Sequence, residues 1–280
     1  MTILWTAMGL CLFSFVNALV YRLPNKMDVV RGRSICPFCK RRLKPRDLVP
    51  VASWVLLRGR CRYCHEKISL RYPLTEIWGG ICGLLCVKFQ GVSLEAGFTL
   101  VFLALLTAVS QIDMDTMEIP DCLNGAVFVL GMVWMEADAA WAVADAAWLA
   151  ADATVAAGNV AHAAGETWAD LATAITHEHM AGMLCVSLPM YLLICLIPGA
   201  FGGGDVKLAA GMGVFLGMRK CLLAFLLGTV AAGVHGMTLL LSGKKDRKDN
   251  FAFGPFFCGS AFFVCFWGMD FLKWYIGLVC

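Results

Sequence analysis

An all-α, polytopic membrane protein with about eight transmembrane helices is what this sequence predicts, and three features carry that expectation. The first is composition: 60% of the residues are hydrophobic and only 15% are charged, where a soluble domain carries about 25% charge. The second is a series of long uncharged runs, each near the roughly 17–25 apolar residues that a helix needs to cross a bilayer. The third is the clustering of lysine and arginine between those runs rather than along the whole chain.

Met1–Tyr21 contains no charged residue and opens the series as the first transmembrane helix, residues 1–21. It has no basic stretch ahead of its apolar run and no small-x-small cleavage pattern, so it reads as a retained anchor rather than a signal peptide. A basic loop follows over 22–72. Pro73–Val87, Gly97–Ile112 and Cys122–Met135 supply helices two to four within 73–135. Residues 136–179 form an Ala- and Asp-rich insertion. Met180–Gly204, Leu208–Met218, Cys221–Gly243 and Asn250–Met269 supply helices five to eight within 180–280. Leu208–Met218 is the shortest of them.

From Arg22 to Arg71 the chain carries 14 Lys and Arg; Lys207 stands alone, and Lys244, Lys245, Arg247 and Lys248 form a second cluster. With eight spans and the N-terminus outside, all of these face the cytoplasm, as the positive-inside rule favours. The stretch from Ala137 to His179 has neither lysine nor arginine. The same arrangement puts it on the outer face.

The cytoplasmic loop contains Cys36-Pro-Phe-Cys39 and Cys61-Arg-Tyr-Cys64, separated by 21 residues. Two CxxC turns can bring four thiolates into a tetrahedron around Zn2+. Lys40, Arg60 and Arg62 favour the thiolate form. A redox dithiol is the other use of such a pattern, and a reducing cytoplasm makes it less useful. Four ligands close a zinc site, so this metal is expected to be structural. His65, adjacent to Cys64, is a poor substitute ligand. The other ten cysteines are scattered through mostly apolar stretches, where the side chain packs as a small hydrophobe.

Carboxylates at a membrane edge are costly unless hydrated, paired or functional. Asp113, Asp115, Glu118 and Asp121 follow one apolar run directly, and Phe201-Gly-Gly-Gly-Asp205 closes another. The eight-span arrangement places Asp113 and Asp205 at the same cytoplasmic depth. Two facing carboxylates can share one proton, one activating water while the other hydrogen-bonds a scissile carbonyl. Read from these residues alone, they are either such a pair or ordinary solvated loop acids.

At this point the chain resembles the bacterial prepilin peptidases, membrane aspartic proteases of the GxGD type, many of which also N-methylate their products. The resemblance runs over nearly the whole length. Ser14–Pro24 is similar to the family's first-span exit. The four cysteines, with Pro50–Trp54, Leu57–Cys61 and Ile68–Pro73, resemble its zinc loop. Ile112-Asp-Met-Asp115 with Ile119-Pro-Asp121 resembles the first catalytic segment. Gly202-Gly-Gly-Asp-Val-Lys207 resembles the second, and Phe253-Gly-Pro255 the motif before the last span. The resemblance implies that Asp113 and Asp205 are the catalytic pair, with Gly202, Gly204 and Lys207 as supporting motif residues. Lys207 itself has no role readable here beyond tuning the pair or meeting lipid phosphate.

The substrates so implied are type IV prepilins or type II secretion pseudopilins. Each carries a short basic leader that stays in the cytoplasm and an apolar helix that stays in the bilayer. The implied location is the bacterial inner membrane, with the site facing the cytoplasm. Asp115, Glu118 or Asp121 are candidates to attract the basic leader. S-adenosylmethionine is the implied methyl donor, although no GxGxxG loop is present, so its residues are not legible. Nucleic acid is not an expected partner, and the oligomeric state is not legible. A zinc-bearing, non-catalytic scaffold for pilus or secretion assembly is the alternative from another class, and a membrane thiol oxidoreductase is a third. Asn17, in the first span, is expected to be a helix-packing amide.

The insertion departs from the family. Asp138, Asp145, Asp152, Asn159 and Glu166 recur every seven residues, and Trp141 and Trp148 keep the same step. Alanine dominates, so a helix with an acidic stripe is expected. A coiled coil, an interfacial helix and a hairpin broken near Gly158 are the three forms it can take. A tolerated low-complexity expansion and a partner-binding segment are its two uses.

Overall fold

A computed structural model describes residues 1–29, 32–157, 164–197, 201–242 and 252–279, apart from the side chains at 149–157, 164–167 and 279. Its elements are α1 (Thr2–Arg22), the short α2 (Ala52–Leu56), α3 (Arg71–Gln90), α4 (Leu94–Thr116), α5 (Asp121–Ala157), α6 (Ala164–Leu196), α7 (Gly203–Leu241) and α8 (Gly254–Val279). Among the described residues there is no β-strand, only two isolated antiparallel bridges in the loop after α1. Among the described residues, six helices are long and apolar enough to cross a membrane: α1, α4, α5, α6, α7 and α8.

The difference from eight has two sources. α3 is 20 residues long but includes Glu76, Lys88 and three glycines, so it is less apolar than its neighbours. The runs read as separate seventh and sixth spans fall in one helical stretch, α7. A single non-helical residue, Gly217 (φ 76°, ψ 170°), interrupts it. Only glycine enters that backbone region without a Cβ penalty. The part before Gly217 is short of a full bilayer crossing at 1.5 Å per residue.

The chain divides into two units. One comprises Met1–Pro120 with Asn250–Cys258, the other Asp121–Asp249 with Gly259–Cys280. In the first, α1, α3 and α4 pack on one another. Lipid tails are as apolar as leucine, so such helices associate through close backbone approach and buried hydrogen bonds. Both occur here. A Cβ on Gly79 would overlap the Phe13 side chain and the Gly9 carbonyl oxygen. Asn17 Nδ2 donates to the Tyr72 carbonyl at 3.1 Å, the packing role expected for it. Arg71 then ties α3 to α4: Nε donates to Gln111 Oε1 at 3.2 Å and Nη2 to the Gln111 carbonyl at 3.0 Å.

Gly79→Val should therefore separate α1 from α3. The clash is with backbone, which cannot rotate away, so the loss should reach the upper end of overpacking costs, about 3 kcal/mol. Thermal unfolding of the detergent-solubilised protein measures it. Gly125→Ala, with open space at its Cβ, is the control expected to change little.

In the second unit α5, α6 and α7 pack mutually. α5 has 37 residues and α6 has 33, about 55 and 50 Å of helix, against a hydrocarbon core of about 30 Å. The insertion is thus largely the continuation of two membrane helices. Met135 and Met180 are not helix ends. The break expected near Gly158 lies outside the described residues. Alanine-rich heptads simply prolong a helix already nucleated in the bilayer. Trp141 and Trp148 stay exposed. The first acid of the stripe does not: Asp138 Oδ2 is 3.3 Å from Nε2 of buried His179, whose Nδ1 is 2.6 Å from the Val214 carbonyl.

Candidate active site and metal centre

The loop between α1 and α3 builds two similar knuckles. In the first, the Cys36 N–H donates to the Arg41 carbonyl and the Lys40 N–H to the Cys36 carbonyl. In the second, the Cys61 N–H donates to the Glu66 carbonyl and the His65 N–H to the Cys61 carbonyl. The bridges Ile35–Arg42 and Arg60–Lys67 close them. Lys40 and His65 each follow the second cysteine of a CxxC, and each has positive φ, 57° and 59°. The turn demands that backbone region at this step, which glycine fills more easily. It also places His65 at the corner of the turn, beside the four-sulfur cluster rather than in it.

The Sγ atoms of Cys36, Cys39, Cys61 and Cys64 all lie within 4.8 Å of one another. Cys36 Sγ and Cys64 Sγ are 3.9 Å apart. Four sulfurs at about 2.3 Å from a tetrahedral ion stand roughly 3.8 Å apart, so the donor set fits a metal. Cys36 and Cys61 are buried, while Cys64 is exposed. Burial works against ionising Cys61, but the N–H groups of Cys64 and Tyr63 and the thiols of Cys64 and Cys36 bring it down to about 7. Cys64 receives the Glu66 N–H, which favours its thiolate. Desolvation and the other three thiols nevertheless push it up to about 11. Thiols that resist joint ionisation are what a divalent cation resolves, by drawing every sulfur to the thiolate. Beside them, burial of the Asp47 carboxyl is outweighed by Arg62, whose Nε donates to Oδ1 at 2.7 Å, and by the Lys44 N–H, so its pKa is lowered.

Asp113 sits one turn before the end of α4 and is only 5% exposed. Its Oδ2 accepts the Gly254 N–H at 3.0 Å. Gly254 is the first residue of α8, so the carboxylate lies at a helix start, where negative charge is favoured. A Cβ on Gly254 would stand 2.6 Å from Oδ2. Gly254 is the residue that reading the sequence missed. Its signal was Phe253-Gly-Pro255, with Pro255 suited to a first helical turn.

Asp205 is half-buried in the first turn of α7, and its Oδ2 accepts the N–H of the N-cap residue Gly202 at 3.2 Å. The Gly204 carbonyl accepts from Nδ2 of buried Asn124 at 3.3 Å. Lys207 has a nearer partner than lipid: its Nζ is 2.6 Å from Asp121 Oδ1, pinning the start of α7 to the start of α5. Both side chains are largely exposed, so this pair orients more than it stabilises. Asp115 is likewise engaged, with Arg71 Nη1 at 2.9 and 2.6 Å from its two oxygens. Of the acids expected to meet a basic leader, Asp115 and Asp121 already hold cations of this chain.

Comparison with known proteins now decides the family. Residues 7–89 match the Bacterial Peptidase A24 N-terminal domain, and residues 100–237 match the Type IV leader peptidase family. A type 4 prepilin-like proteins leader peptide-processing enzyme of Escherichia coli is 31% identical over 78% of this chain and 77% of its own length. The chain belongs to the type IV leader peptidase family. A prepilin leader peptidase/N-methyltransferase of Bacillus subtilis is 28% identical over 96% of this chain and 95% of its own. One of Legionella pneumophila is 27% identical over 96% and 92%. No solved structure matches the chain. The family assignment favours a peptidase over the scaffold. Asp113 and Asp205 both fall within the matched peptidase segment, and the four cysteines fall within the N-terminal one.

Proposed function

We propose that the protein is an aspartic endopeptidase of the bacterial inner membrane. In this reading Asp113 and Asp205 cut the basic leader from type IV prepilins or pseudopilins at the cytoplasmic face. One observation carries it: two aspartates within the leader-peptidase segment, each at one end of a helix and each accepting a backbone N–H from a helix start. Such donors hold a carboxylate in place while leaving its second oxygen for chemistry. The pair shares one proton. The ionised member takes a proton from the attacking water, and the neutral member hydrogen-bonds the scissile carbonyl. The two titrate as a unit.

The four cysteines hold a structural Zn2+ that shapes the loop and takes no part in cleavage. The N-methyltransferase naming of relatives supports a second step on the freed N-terminus, for which S-adenosylmethionine, when bound, supplies the methyl carbon. Co-expression with a prepilin and mass analysis of the product tests both steps. The expected product lacks its leader and is heavier by one methyl group; a prepilin left intact by the wild-type chain would overturn the reading.

The Ala- and Asp-rich segment 136–179 supplies nothing this chemistry needs. Because Asp138 and His179 belong to the packed helices, the informative deletion is narrower than the whole insertion. Replacing residues 145–172 with a short Gly/Ser turn should leave cleavage within about twofold of wild type, since surface changes away from packed features cost little. Cysteines placed between Asp145 and Trp148 should label from outside the cell. A shortened protein that inserts but does not cleave would show that the segment positions substrate.

A further inference from the structure

Asn124, in the first turn of α5, is only 4% exposed. Its Nδ2 donates to the carbonyl of Gly204 at 3.3 Å, which sets the amide beside the first turn of α7, next to Asp205. That contact also fixes which way the amide faces, because the flipped form would bring two acceptor oxygens together. Oδ1 is thereby left buried, with no hydrogen-bond partner among the described residues. A buried acceptor without a donor is costly. Asn124 cannot swing out to escape that cost, since α5 and α7 meet along a seam of backbone. A Cβ on Gly211 would stand 3.1 Å from the Phe128 nitrogen, and one on Gly131 3.0 Å from the Phe215 nitrogen. On the exposed side the Asp121–Lys207 pair joins the same two helix starts. A buried acceptor held this firmly is organised for a donor that arrives from outside.

A peptidase substrate brings such a donor. In a helix each carbonyl is bonded to the N–H four residues on, so the scissile peptide must unwind before water and a carboxylate can reach it. Unwinding frees backbone N–H groups at the edge of the bilayer, where each needs an acceptor. We propose that Asn124 Oδ1 accepts one of these N–H groups, from a residue flanking the scissile bond, and so holds the unwound substrate against Asp205. The inference rests on the peptidase reading above. Each partner resolves the other: the free enzyme carries the orphaned oxygen, and the unwound substrate carries the orphaned N–H. Because Asn124 reads backbone rather than side chain, it serves every leader sequence alike.

The test is a double-mutant cycle between Asn124 and the substrate backbone, with the full-length protein in lipid nanodiscs. Synthetic prepilin peptides carry a single backbone ester in place of an amide, which removes one N–H near the cleavage site; the scissile amide stays intact. At one position the ester should lower kcat/KM of the wild type about ten- to a hundredfold, because Oδ1 then faces an oxygen that cannot donate. Asn124→Leu should lose a similar factor on the all-amide peptide. That ester should then cost the leucine variant at most about twofold more, since removing both partners leaves nothing unpaired. The lost contact to Gly204 lowers both rates and cancels in the ratio. Asn124→Asp, which keeps an oxygen in place, should regain the sensitivity to the ester. If the leucine variant fails to insert, Asn124→Ala carries the same comparison. A wild type indifferent to every ester, or an equal ester penalty in wild type and variant, overturns the proposal and leaves Asn124 a packing amide, while the peptidase reading stands. A wild type that does not cleave the all-amide peptide overturns both.

Discussion

Asp113→Ala and Asp205→Ala are each expected to lower leader cleavage at least about a thousandfold, near the upper range for losing a general acid or base. Membrane insertion should be unchanged. Asn replacements should fail as badly, because an amide keeps the shape but cannot exchange a proton. Single losses should be nearly as damaging as the double, since the two act as a unit. Gly254→Ala offers an independent probe. Its Cβ would stand 2.6 Å from Asp113 Oδ2, so the carboxylate must turn away and cleavage should fall without any change in acid or base. Initial rates on a purified prepilin, at matched enzyme in the membrane fraction, give the answer. Turnover near the wild-type rate by either alanine variant would refute the pair.

The helices were legible because a bilayer imposes one simple demand: backbone groups must bond within a segment, and apolar runs of the right length do so as helices. Both CxxC turns were legible for a similar reason, since their spacing fixes where the sulfurs can go. The left-handed corners at Lys40 and His65 were not. Neither residue type advertises positive φ, and the turn imposes it from outside.

What stayed hidden was long-range. Gly254 meets Asp113 across 141 residues of chain, and nothing local to either marks the other. The acids around Asp113 look alike in sequence, yet Asp115 takes Arg71 and Asp121 takes Lys207. Such choices are made by which helices pack together. The insertion misled in another way. Its heptads mark a helix correctly but not where the membrane span stops, because alanine continues a helix as readily outside the bilayer as within it. The inward turn of Asp138 onto His179 breaks the equivalence of the repeat. What distinguishes that repeat is its contact with His179, itself held on the Val214 carbonyl.

Removing the metal is expected to have the second largest effect, on the loop rather than on cleavage. The purified protein should contain one zinc per chain, and the Cys36→Ser/Cys61→Ser double variant should contain none. Structural zinc contributes about 10–16 kcal/mol of apparent binding energy in zinc-finger peptides. The loop has little regular structure of its own: α2 has five residues, and each knuckle closes on a single isolated bridge. Metal loss should therefore expose the segment around the four cysteines to protease while α1 and α3, joined through Gly9 and Gly79, stay packed. Leader cleavage should fall only a few-fold, since neither aspartate belongs to the loop. Limited proteolysis, elemental analysis and cleavage rates on one preparation separate these effects. Zinc content unchanged in the double variant would sink the ligand assignment. A metal-free loop that still resists protease would show that the two knuckles hold themselves by their backbone hydrogen bonds.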